Sequence, residues 1–220
     1  MSSLRTIIHL VLICLFINVS CTTGEKKTDL SSSSLPIIGE KKLAPNGKDT
    51  IYHQVPKFSF TNQFGENINE NTISGKIYVA DFFFATCTSI CPVMGKQMGL
   101  VQNAFVNDQD VLILSHTVNP MHDTVEVLHE YGKRFGAIKN KWHLLTGEKK
   151  IIYALAKDGY LVNALQDDGS AEGFLHSELF MLVDWQRRIR GMYDGTDSLQ
   201  VIKLIQDIKQ LKQEKNADNK

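Results

Sequence analysis

Cys87 and Cys91 bracket three residues in the run CTSICP, and this pair is the strongest chemical signal in the chain. Thiolates are the nucleophiles of disulfide exchange and also soft ligands that select Cu(I), so the pair alone is compatible with either chemistry. If Cys87 leaves a strand and Cys91 enters a helix, both sulfurs meet the unpaired amide N–H groups and positive dipole end of that helix. Lowered thiol pKa values would follow. The competing reading is a structural disulfide or a buried apolar pair. Position argues against it, because α/β folds place sites where a strand gives way to a crossover helix. The spacing also differs from the two-residue spacing of redox C-x-x-C motifs.

Other residues could join this chemistry. Asp81 precedes Cys87 by six residues, the separation found between the buried aspartate and the first active-site cysteine of thioredoxin. It is a candidate for proton transfer, or else a buried acid satisfied by a lysine or water. His116 and His122 flank the end of the following strand, on the rim expected to carry the cysteines, and read as surface residues or as an occasional extra ligand. His53, His129 and His143 share no metal-ligand spacing, and neither HExxH nor a paired-cysteine zinc signature is present.

The elements that must hold these groups are legible from periodicity. KIYVADFFFATC carries a β-branched and aromatic strand, Ile77 to Phe84, followed by Pro92 at a first helical position and a helix to about Val106. VLILSHTV, Val111 to Val118, is a second strand, which makes a right-handed βαβ unit. Thr124 to Phe135 reads as a helix, Phe180 to Asp184 with Arg188 to Tyr193 as a hairpin, and Leu199 to Leu211 as a closing amphipathic helix. This βαβα then ββα order is that of thioredoxin: an α/β fold with a central mixed sheet flanked by helices. An N-terminal hairpin around Phe58 to Thr61 and a helix near Lys149 to Lys157 are additions to it.

The chain has 220 residues, 43% of them hydrophobic, with 24 basic against 24 acidic side chains, which suits one globular domain and offers no polybasic face to nucleic acid. Its first residues place Arg5 before an apolar run from Ile7 to Ile17 that is too short for a comfortable membrane span. This is an export signal, 1–20. Ser20 followed by Cys21 resembles a bacterial lipoprotein cleavage site, although Asn18 stands where an aliphatic residue is usual; Cys21 is the expected lipidation site, the alternatives being a soluble secreted product or an uncleaved anchor. The mature chain is expected to be exported and lipid-anchored, facing the periplasm. Residues 21–49, rich in Ser, Lys, Gly and Pro, read as a flexible tether in which only Leu35 to Ile38 forms an apolar patch able to dock. The domain is expected over 50–213, with 214–220 as a frayed tail.

FFFATCTSICP resembles the signature of the Sco/SenC family, in which CxxxCP lies between strand and helix. SHTVNPMHDTVEVLHEYGKRFG, WHLLTG and FLHSELFMLVD are similar to later segments of that family, so that the resemblance runs from about Lys57 to Gly195. It implies a thioredoxin-like fold and one copper ion, Cu(I) or Cu(II), held by Cys87, Cys91 and His176. It further implies a metallochaperone that delivers copper to the binuclear site of cytochrome c oxidase subunit II or a similar acceptor, working with other copper chaperones or thiol reductants. Thr88, Ser89 and Asn119 depart from the common family residues but remove no ligand. The alternative is an enzyme, a thiol-disulfide oxidoreductase whose redox-active pair is Cys87 and Cys91. A copper-dependent sensor fits the same residues, and a peroxidase fits them less well.

Overall fold

The computed structural model describes residues 34–162 and 177–218. Its centre is β5 (Ile77–Phe83), every residue of which is buried, paired in parallel with β6 (Val111–Thr117), equally buried. Runs of this kind are what a parallel strand covered on both faces requires. The connection between them is α1 (Cys91–Ala104), with Pro92 in its first turn, where its missing N–H costs nothing. Then α2 (Val125–Phe135) leads to β7 (Trp142–Thr146), which lies parallel to β6. Thr124 caps α2 by accepting from the Val127 amide, and Gly136 ends it at a φ of 68°, a conformation that favours glycine. Both crossovers step in the same direction, so α1 and α2 share one face of the sheet. Gly95 lets them close up: a Cβ there would lie 2.8 Å from the Phe135 ring.

The other strands complete a seven-stranded sheet. β3 (Ser59–Asn62) and β4 (Asn67–Asn69) form the expected N-terminal hairpin and add antiparallel to β7. On the far side β8 (Leu179–Val183) runs antiparallel to β5 and is followed by β9 (Ile189–Asp194). The order is β4-β3-β7-β6-β5-β8-β9, a thioredoxin-like mixed sheet. The strand β7 went unassigned from the sequence because its five residues show no alternation. Helix α3 (Lys149–Ala154) runs into a π-helical turn, Leu155–Gly159.

Two boundaries differ from expectation. The described part of the stretch read as a tether is structured: Lys41–Leu43 (β1) pairs with Thr50–Tyr52 (β2), and Ile38 bridges to Ile189. The last helix, α4 (Ser198–Asp218), continues past Leu211 into the stretch read as a tail. One buried residue accounts for both. Arg190, 3% exposed as a residue, donates to the carbonyls of Leu35 and Pro36 and to the carboxylates of Asp184 and Glu214. Glu214 also accepts from the Leu35 amide at 2.8 Å. The N-terminal segment and the end of α4 are thus fastened to the same guanidinium. Earlier in α4, Val201, Leu204, Ile208 and Leu211 are buried, each contributing about 1.5–3 kcal/mol relative to exposure. Among the described residues no helix is long and apolar enough to cross a membrane.

Removing one partner of a buried ion pair leaves the others uncompensated, at a cost of roughly 3–5 kcal/mol. Arg190→Met is therefore expected to lower unfolding stability in urea by about 3 kcal/mol. A loss below about 1 kcal/mol, the value of an exposed pair, would show that the cluster does not hold the termini.

Candidate metal centre

The site is built where β5 ends. After Phe84 the chain turns through Ala85 and Thr86 to Cys87, whose amide donates to the Phe84 carbonyl at 3.1 Å. It then continues through Thr88 and Ser89 to Cys91, the first residue of α1. Both thiols are free, and each cysteine is 4% exposed, although Thr86, Thr88 and Ser89 between and beside them are exposed. A thin polar loop therefore separates the sulfurs from solvent.

The loop is positioned by Asp123. This fully buried carboxylate accepts from the Ala85 amide at 3.0 Å and the Thr117 hydroxyl at 2.5 Å on one oxygen, and meets His122 Nδ1 at 2.9 Å on the other. It ties the cysteine loop to the end of β6. Sequence reasoning missed Asp123 because it stands directly before the Thr124 cap, where an acid reads as an ordinary helix start.

The two thiols differ in acidity. Burial pushes the Cys87 thiol up, but hydrogen bonds from the Cys91 thiol and amide and from Ser89 outweigh it and hold Cys87 below the ordinary value. Cys91 is raised well above that value, by burial first and then by its hydrogen bond to Cys87 and the nearby charges of Cys87 and Asp81. The expectation that both thiols ionise easily is corrected: the helix N-terminus favours one thiolate, and the second sulfur keeps its proton to donate to it.

Beneath the pair lies Asp81, 4% exposed, its carboxyl pushed up to about 7 by burial against the lowering effect of the Ser115 hydroxyl. Ser115 donates to it at 2.5 Å and accepts from the Trp142 indole N–H at 2.8 Å. Its partner is thus a hydroxyl rather than a lysine. Tyr131 closes this side, its ring centroid 4.7 Å from that of Phe83. Its phenol is raised by burial and by the charges of Cys91, Asp81 and Cys87.

The remaining histidines divide. His116 is not at the surface: it is fully buried among Phe58, Phe60, Phe82 and Tyr160 on the opposite face of the sheet, and burial pushes it down to about 3. It is therefore excluded from the rim. His122, with its side chain 51% exposed, stays there. His53 meets the Gly159 carbonyl, His129 packs against Phe64, and His143 meets Asn62. Cys21 and His176, the expected lipidation site and third ligand, lie outside the described residues. Among the described residues no three His, Cys, Asp or Glu side chains are grouped to hold a metal. What the geometry brings together is a buried two-sulfur donor set, with an acid of near-neutral pKa below it.

The SCO1/SenC family model matches residues 47–213. Among solved structures, the chain is similar to a SCO1/SenC family lipoprotein from Bacillus anthracis, with 30% identity and a TM-score of 0.66 over 72% of this chain and 95% of that one. It is also similar to BsSco, described as a member of the Sco family of cytochrome c oxidase assembly proteins with a disulfide switch, at 27% identity and a TM-score of 0.63 over 74% and 96%. Arabidopsis thaliana ScoI, solved with copper bound, is 25% identical with a TM-score of 0.57 over 70% and 98%. The family match over most of the chain agrees with the fold and with the cysteine pair at its expected place, and the protein belongs to the SCO1/SenC family.

Proposed function

We propose that this protein is an exported copper metallochaperone that carries one copper ion on Cys87, Cys91 and His176 and delivers it during assembly of cytochrome c oxidase. The observation that carries this reading is the buried, reduced pair of thiols at the start of α1, a soft donor set suited to Cu(I). Two features support His176 as the third donor. The antiparallel pairing of β8 with β5 brings the chain into β8 at the rim where β5 ends, and His176 is the residue bonded to buried Ser177, two positions before that strand. An incomplete, three-donor site lets a partner's ligands replace the protein's own one at a time, which suits a carrier better than a closed four-ligand cage. Copper bound to a family relative that is 25% identical supports the choice of metal, and the assembly role attributed to BsSco supports the acceptor. Anchoring through Cys21 after removal of residues 1–20 is supported by Ser20-Cys21 and by the lipoprotein relative.

A second reading, thiol-disulfide oxidoreductase, is favoured by one observation: the unequal thiols above Asp81. Cys87 has the lowered pKa of an attacking thiolate. Cys91 keeps its proton until a base takes it, and the near-neutral Asp81, whose charge reaches Cys91, supports that role. The two roles are compatible, because copper loading needs reduced sulfurs.

Anaerobic titration of the reduced protein with Cu(I) against a chelator separates them. One copper per chain is expected, and His176→Ala is expected to weaken binding by more than about 100-fold, since loss of an outer partner alone costs about 10- to 100-fold. Unchanged affinity in His176→Ala, with turnover of a disulfide substrate, would move the protein to the second reading. Alkylation of the reduced, metal-free protein should modify Cys87 first, with a pH midpoint below the ordinary thiol value; faster modification of Cys91 would reverse the assignment.

The acid below the pair gives a pH test. Asp81 holds its proton more tightly in the folded state, about 7 against an ordinary 3.8. Its contribution is fully present below the lower value and is lost as pH rises through the upper one. Asp81→Asn, which never ionises, should match the wild type in urea at pH 4 and exceed it at pH 8. An equal difference at both pH values would mean that Asp81 is not a buried acid of raised pKa.

A further inference from the structure

On the reading that the cargo is copper, we propose that Met121 and His122 form a surface capture site for Cu(I) beside the Cys87–Cys91 loop. The pair offers a thioether and an imidazole, the soft and intermediate donors that Cu(I) accepts. Met121 is 87% exposed, the most exposed large apolar side chain among the described residues, so its thioether is open to solvent. His122 follows it directly. Its Nδ1 meets Asp123 Oδ1 at 2.9 Å, and in the neutral ring with Nδ1 donating to that carboxylate the lone pair lies on Nε2. A carboxylate holding one ring nitrogen so that the other faces a metal is the usual way a histidine ligand is oriented.

The placement matters as much as the donors. The same Asp123 that orients His122 also holds the Ala85 amide, two residues before Cys87. His122, Ala85, Thr86 and Tyr131 line one hollow of about 420 Å³, and Tyr131 lies close enough to the thiols to feel their charge. Captured metal therefore sits one loop away from its destination. Copper remains Cu(I) in the transfer. The bonds to Met121 Sδ and His122 Nε2 break as bonds to the cysteine sulfurs form, and the Cys91 proton is released to water. No oxidant or reductant is consumed. The site is shallow and two-donor, which suits rapid exchange rather than storage.

The test uses the full chain and Ag(I), a redox-inert analogue of Cu(I), in a Cys87→Ser/Cys91→Ser background. Ag(I) is expected to shift the NMR signals of the Met121 methyl group and the His122 ring. Met121→Leu should weaken this binding by about tenfold or more, with the thermal unfolding curve unchanged, because Met121 is exposed and takes no part in the Asp123 hydrogen bonds. In the cysteine-containing protein, Met121→Leu should leave equilibrium Cu(I) affinity unchanged and slow Cu(I) release to a chelator. Absence of shifts at both residues, or release at the wild-type rate, overturns the capture site. If that happens while Cys87 and Cys91 still bind Cu(I), the metallochaperone reading stands. If the cysteines bind no Cu(I) but Ag(I) still shifts Met121 and His122, the surface site stands and the metallochaperone reading falls.

Discussion

Parallel pairing of β5 with β6, in unbroken register from Ile77 opposite Val111 to Phe83 opposite Thr117, is the constraint from which the rest of the molecule follows. It sets Asp81 beside Ser115 and sends Phe82 and His116 together to the other face. A slip of one residue would exchange these faces and place the imidazole under the cysteines. It also ends both strands at one rim, where the cysteine loop and the loop into α2 are close enough to share Asp123. The chemistry of the rim is thus fixed by hydrogen bonds far from any sulfur.

Burial works in two directions at this site. It excludes water from both sulfurs, which strengthens every interaction between them, and it makes a second negative charge there expensive. The thiols respond by sharing one proton's worth of hydrogen bonding rather than both ionising. A metal cation resolves the conflict, since it supplies the positive charge that allows both sulfurs to be anionic at once. An attacking thiolate resolves it differently, by forming a covalent bond. The same electrostatic arrangement therefore suits both metal binding and disulfide exchange.

Much of this was legible in the sequence where residues signal locally. The strand ending at CTSICP, Pro92 at the start of α1, and Thr124 with Phe135 bounding α2 all announce themselves by type and period. The sequence also pointed to Asp81 through its distance from Cys87. What it could not show are the interactions made at long range. Asp123 binds Ala85 across 38 positions, and Arg190 binds Leu35 across 155; no local pattern marks either. His116 was misjudged because a histidine at a strand end reads as polar, while four surrounding aromatic rings bury it. β7 was missed because a strand covered on both faces loses its alternation.

Arg190 has a mechanical consequence. Ile38 joins the sheet beside Ile189, which pairs with Val183 and through it lies next to Tyr78, at the beginning of β5 rather than its end. The segment from Leu35 to Ile38 is consequently fastened at the pole of the sheet opposite the thiols. Tension on that end of the chain would run into Arg190, α4 and the edge strand, and would bypass the cysteine loop. A pull applied at Leu35 would thus leave the geometry of the cysteine rim undisturbed.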